Sequence, residues 1–118
     1  MEFQELHVWQ LNTKEAREIQ FDLASRVISE NAETNPNLVA GVDVSVARFR
    51  RNGRADVVLI DFHTLKLIGS ATAEGEISFP YVPGLLSFRE APLILQAFRK
   101  LCHKPDIILV DGQGIAHP

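Results

Sequence analysis

The sequence predicts an α/β fold in which one helix precedes three antiparallel strands, a second helix and a fourth strand parallel to its neighbour. Three observations predict it. Apolar residues recur at helical spacing up to about Glu30 and at a spacing of two from Leu38 onward. An Asn-Gly pair, a strong short-range hairpin signal, stands before a β-branched run. The run Ile107-Ile108-Leu109-Val110 is continuously apolar and follows a helical stripe, as in a crossover into a buried parallel strand.

Asn12 and Glu15 have the spacing of a capping box, and Ala16, Ile19, Leu23 and Val27 then share one helical face, which predicts a helix over Thr13 to Glu30. Asn31 to Asn37, with Pro36, reads as a connector. In the first strand Val42, Val44 and Val46 point one way, and Gly41, Asp43, Ser45 and Ala47 the other. Arg51-Asn52-Gly53-Arg54 supplies the hairpin into a strand containing Val57 to Ile60, and a turn near His63-Thr64 leads to a third strand over Lys66 to Glu74. Ser87 and Glu90 repeat the capping-box spacing at the start of a helix from about Phe88 to His103, with Cys102 in its last turn. Lys104-Pro105 ends that helix, and Ile107 to Val110 is expected to be a strand buried on both faces, with Asp111 at its carboxyl end. Trp9, Phe21 and Phe98 are assigned to packing.

The 118 residues suffice for a single domain with one hydrophobic core. With 46% hydrophobic and 23% charged residues the composition is that of an ordinary globular domain. No apolar run approaches the length of a membrane span, and the acidic start Met1-Glu2-Phe3-Gln4-Glu5 is unlike a secretory leader. Together with the lone Cys102, this leads us to expect a cytoplasmic protein with no membrane association. The net charge of −3 argues against a broad basic surface for nucleic acid, but not against a carboxylate site that holds a cation and makes local phosphate contacts. Arg48, Arg50, Arg51 and Arg54 fit either such a local contact or a solvated hairpin tip.

Taken singly, the polar residues admit bland readings. Asp43 suits the wet face of a half-exposed sheet, and Glu90 suits a partner for the Ser87 cap. Asp111 stands where open α/β sheets place ligands, at the end of a strand. Tyr81, between Pro80 and Pro83, is presented by a stiff backbone, either to pack on its own protein or to contact a partner. Gly112-Gln113-Gly114 is a turn, or a backbone segment open to close approach. Were the three carboxylates brought together, they would supply the hard oxygen ligands that Mg²⁺ prefers.

Three segments, Val42-Asp43-Val44-Ser45, Phe79 through Glu90, and Asp111-Gly112-Gln113-Gly114-Ile115-Ala116-His117-Pro118, occur in an order that resembles endonuclease V, a family of repair nucleases acting on deaminated adenine in nucleic acid. The resemblance implies a ribonuclease H-like fold, of which this chain is the N-terminal portion. It implies a DNA repair endonuclease that recognises deoxyinosine and hydrolyses a phosphodiester bond on its 3′ side with Mg²⁺, or with Mn²⁺ in its place. Asp43, Glu90 and Asp111 become the metal-binding catalytic carboxylates, and Pro80, Tyr81, Val82 and Pro83 a wedge that parts the strands. Gly84, Leu85, Gly112, Gln113 and Gly114 line the lesion pocket, and His117 contacts phosphate or a metal-bound water. The implied partner is inosine-containing DNA, with RNA left open. Family chains are much longer, so one of this length is expected to be weakly active or inactive, and its uncovered strand edge to find a partner by dimerisation or edge pairing. The other readings are a non-catalytic nucleic-acid-binding module and an inactive structural fragment.

Overall fold

Asn12 starts helix α1 (Thr13–Ala24): its Oδ1 accepts from the Glu15 N–H at 2.8 Å, and Glu15 Oε1 accepts from the Asn12 N–H at 3.2 Å, so the capping box is complete. The computed structural model describes residues 3–30, 35–46 and 51–112. α1 ends at Ala24, six residues before the expected Glu30. Ser25 causes the stop. Its hydroxyl takes the Asp22 carbonyl at 2.6 Å and its N–H bonds the same carbonyl in a tightened last turn. Beyond it Val27 and Ile28 are exposed, so no apolar surface rewards a longer helix. Phe21 is also exposed, contrary to the packing expected of it, because it lies far round the helix from buried Ala16.

The sheet comprises β1 (Leu38–Val46), β2 (Asn52–Asp61), β3 (Leu67–Glu76) and β4 (Ile107–Val110), in the order β3-β2-β1-β4. β1 pairs antiparallel with β2, β2 antiparallel with β3, and β4 parallel with β1, as the patterns predict. The Asn-Gly pair is not the hairpin tip. Gly53 pairs with Val46 and Asn52 with Glu76, so both residues belong to β2. Gly53 is needed for closeness rather than for a turn: a Cβ there would fall 2.8 Å from Leu93 Cδ1 of the helix above. The second turn is where expected, with Asp61 Oδ1 accepting the His63 and Thr64 N–H groups at 2.8 and 2.9 Å.

Helix α2 (Leu86–Arg99) covers one face of the sheet. Leu93, Ala97, Phe98 and, just beyond it, Leu101 bury against Ala40, Val42, Ala55, Val57, Leu59 and Ala73, the inward residues that alternation along β1 to β3 selects. The expected Ser87–Glu90 capping box does not form. The helix begins one residue before Ser87, its N-cap is Leu85 with no side-chain bond, and Glu90 therefore stands in the second turn. α2 also stops at Arg99, not His103, so exposed Cys102 lies outside it. A further correction concerns β4, expected to be buried on both faces. Leu109 and Val110 are 62% and 56% exposed, because β4 has β1 on one side only and its outer part lies beyond the cover of α2. No helix among the described residues is long and apolar enough to cross a membrane.

Candidate active site

The register of the sheet places aspartates around one another. Asp43 lies in mid β1 on the face opposite α2, and its cross-strand partner on β2 is Asp56. On the other side β4 ends with Val110 paired to Val42, so Asp111, the next residue, comes alongside Asp43. Neighbouring strands are about 4.8 Å apart. Asp43 is thus flanked by two like-charged neighbours, and its Oδ1 turns to its own chain, accepting the Val44 N–H at 3.0 Å.

Glu90, the third sequence-predicted carboxylate, lies on α2. Its carboxyl is pushed up from the usual carboxylate range, first by partial burial, then by the charge of Asp43 and also by that of Asp111, against an opposing pull from Arg89. The charges of the two sequence-predicted aspartates therefore bear on Glu90 across three elements. Among the described residues no group of three or more His, Cys, Asp or Glu side chains lies tightly enough to hold a metal ion. By its chemistry the donor set nonetheless suits a hard divalent cation, since Asp43, Glu90 and Asp111 offer only carboxylate oxygens.

Asp56 is the residue the sequence reading missed. Arg54 Nε bonds both its oxygens at 3.0 Å and Thr72 Oγ1 donates to Oδ1 at 2.7 Å. The Thr72 and Arg54 hydrogen bonds hold its carboxyl below the usual range. Asp56 is thereby neutralised and its lone pairs occupied, which keeps an otherwise costly pair of facing aspartates in the sheet. The alternation Arg54, Asp56, Val58 along β2 was the available signal. Arg54 also reaches Glu74 at 3.4 Å, so it is paired on the sheet rather than offered at a hairpin tip. Arg48 and Arg50 lie outside the described residues, as do Gln113, Gly114 and His117.

The raised Glu90 carboxyl gives a pH prediction. The folded chain holds the Glu90 proton to higher pH than the unfolded chain does, so this group's stabilising contribution is full below the unfolded value and is lost as pH rises through the folded one. At neutral pH the ionised Glu90 is a net burden. Glu90→Gln is therefore expected to raise Tm at neutral pH, by a few degrees at most because the site is partly exposed, and the gain should vanish below the ordinary carboxylate range. Thermal melts of both chains across that interval check it.

Tyr81 stands out from the surface, 73% exposed, between exposed Pro80 and Pro83. The loop is anchored by what flanks it. Phe79 and Leu85 are buried with Ala16 and Phe88 in a second apolar cluster, joined by Trp9, Leu11, Ile19 and Val82. Leu85 is 2% exposed, so what it can present to a ligand is backbone. Gly84 has φ +86°, the left-handed conformation that glycine alone adopts cheaply, and the Leu85 N–H closes a turn on the Val82 carbonyl at 3.0 Å. Gly112 is exposed just after Asp111.

Residues 21–118 match the family model described as Endonuclease V. The Endonuclease V of Dehalococcoides mccartyi is 43% identical over 118 residues, covering 100% of this chain and 53% of that protein. The crystal structure of Endonuclease V from Streptomyces avermitilis superposes with a TM-score of 0.85 at 45% identity, over 93% of this chain and 49% of that one. Endonuclease V from Ciona intestinalis, crystallised with a 23mer DNA containing an inosine followed by a ribo-adenosine, shares the fold with a TM-score of 0.75 at 24% identity, over 88% of this chain and 47% of that one. The chain spans about half the length of the curated relatives it matches.

Proposed function

This chain belongs to the endonuclease V family, and we propose on that footing that it carries the N-terminal part of a nuclease that recognises hypoxanthine in DNA and hydrolyses a phosphodiester bond on its 3′ side. The observation that carries the reading is the register that sets Asp111 alongside Asp43 on adjacent strands, with the charges of both bearing on Glu90 of α2. Asp43, Asp111 and Glu90 would hold Mg²⁺, or Mn²⁺ in its place. When bound, such an ion lowers the pKa of a coordinated water and stabilises charge on the departing oxygen.

The remaining steps belong to the chain's own groups. Tyr81 is mounted on a proline-stiffened backbone, so inserting it beside a base costs little ordering, and stacking contributes about 1–3 kcal/mol whatever the base. A deaminated adenine pairs poorly and so is cheap to unstack. Backbone amides at Gly112, Gln113 and Gly114 would read the hypoxanthine edge, Gly84 and Leu85 would line the pocket beside it, and His117 would contact phosphate or a metal-bound water. The inosine-containing DNA held by the Ciona protein supports this choice of lesion. Since the relatives matched are nearly twice as long, cleavage by these 118 residues alone is expected to be weak.

The test is incision of a labelled oligonucleotide with one inosine, against a matched adenine control, with and without Mg²⁺. It is run on the 118-residue chain and, where the reading frame continues past Pro118, on the longer polypeptide. Mg²⁺-dependent, inosine-specific incision by either supports the reading. Inosine-specific binding with no incision in either would favour a non-catalytic module, and neither binding nor incision would overturn the assignment of function altogether.

A further inference from the structure

The loop that presents Tyr81 is fastened at both ends by side chains. Arg89 Nη1 donates to the Phe79 carbonyl at 3.1 Å, just before Pro80. Gln20 Nε2 donates to the Gly84 carbonyl at 2.7 Å, just after Pro83. Arg89 lies on the helix into which the loop runs, but Gln20 comes from α1, sixty-four residues away in sequence. We propose that Gln20 is a positioning residue that fixes the peptide plane between Gly84 and Leu85, and through it sets how strictly the loop distinguishes hypoxanthine from adenine. This rests on the function proposed above for the loop.

The physical case begins with Gly84. The prolines hold their own part of the loop, whereas a glycine at positive φ can leave that conformation at little steric cost. The Gly84 carbonyl and the Leu85 N–H belong to one planar peptide unit, so their directions are locked to each other. Gln20 grips the carbonyl end, and the Val82 carbonyl accepts from the N–H end at 3.0 Å. Together they stop the plane from rotating.

Gln20 is itself well placed to do this. It stands four residues after Ala16, on the same face of α1, and Ala16 is fully buried against the cluster of Phe79, Leu85 and Phe88. The helix is therefore seated on the residues that flank the loop, which brings the Gln20 amide within reach of the Gly84 carbonyl. Hypoxanthine presents an acceptor oxygen where adenine presents an amino donor. With the plane held, the Gly84 carbonyl is turned to Gln20 and kept from the base; a plane free to rotate offers that carbonyl as an acceptor to adenine's amino group, and the distinction is lost.

The experiment measures the ratio of Kd values for matched adenine and inosine oligonucleotides, by fluorescence anisotropy without metal, together with hydrogen exchange at the Leu85 amide. Gln20→Glu keeps shape and helix propensity but turns a carboxylate oxygen toward the Gly84 carbonyl. It is expected to lower the ratio about three- to tenfold and to speed Leu85 exchange. The added charge weakens both oligonucleotides alike and cancels in the ratio. Gln20→Lys restores a donor of similar reach and is expected to recover the wild-type ratio, while Gln20→Leu, which packs without donating, is not. An unchanged ratio in the Glu and Leu chains, with wild type discriminating, overturns this inference alone. A wild-type chain that does not prefer inosine overturns the proposed function and this inference with it.

Discussion

Asp43→Ala is expected to lower Mg²⁺-dependent incision of an inosine-containing strand by at least about a thousandfold, the scale of losing several kcal/mol of charge stabilisation at the reacting phosphate. The fold should not notice. Asp43 is exposed on the face opposite α2, and the hydrogen bond found for its side chain is to the N–H of the next residue. Exposed substitutions of this kind stay within about 0.5 kcal/mol. The change also removes a like charge from between Asp56 and Asp111 and relieves one of the two that push Glu90 up. Activity should therefore vanish while Tm holds or rises slightly, a combination that a merely structural aspartate cannot produce. The measurement pairs incision rates with thermal melts of the same preparations, and an Asp43→Ala protein that cuts at the wild-type rate would sink the metal-site assignment.

Why Asp43 could be picked out of the sequence, while alternation gave the face of Asp56 but not its pairing with Asp43, shows what local pattern carries. Alternation along β1 assigned faces correctly because Val42, Val44 and Val46 have one physical requirement, burial under α2, and Asp43 has the opposite one. Strand directions followed from the Asn52-Gly53 signal, the β-branched run and the crossover through α2, all of which are local or short-range signals. Asp56 depended on register, which couples residues thirteen apart through pairing that no local pattern encodes. Element ends failed for a similar reason. Ser25 ended α1 and the Ser87–Glu90 spacing capped nothing, because a side chain that could bond a helix terminus does so only if the chain on the other side lets it. The exposure of Leu109 and Val110 was misread because an apolar run states that burial is favourable, not that a partner is supplied. Gln20 gave no sign at all: its amide matters only because folding brings the Gly84 carbonyl within 2.7 Å.

Phe98→Ala is expected to be the most damaging single change to the fold, costing about 3–5 kcal/mol out of the roughly 5–15 kcal/mol that a domain of this size has to lose. Phe98 is 1% exposed, the largest of the fully buried side chains, and meets Phe3 edge-on at 6.0 Å between ring centres. The cost should lie toward the upper end of that range. Much of the surrounding core is alanine, at positions 40, 55, 73 and 97, whose methyl groups sit on fixed backbone and cannot swing in to fill the space left by a ring. Tm should fall by about 15–30 °C, whereas Phe21→Ala, at a ring that is 85% exposed, should leave it unchanged. The effect reaches the site because α2 carries Glu90 as well as Phe98, and the charges of Asp43 and Asp111 bear on Glu90 only while α2 is seated on the sheet. Inosine-specific incision in the Phe98→Ala protein should accordingly be lost at lower temperatures than in wild type, tracking the melt. If the variant melted within a few degrees of wild type, seating of α2 would not be what holds the third carboxylate, and its position would have to be fixed from the Arg89 and Phe79 end of the helix instead.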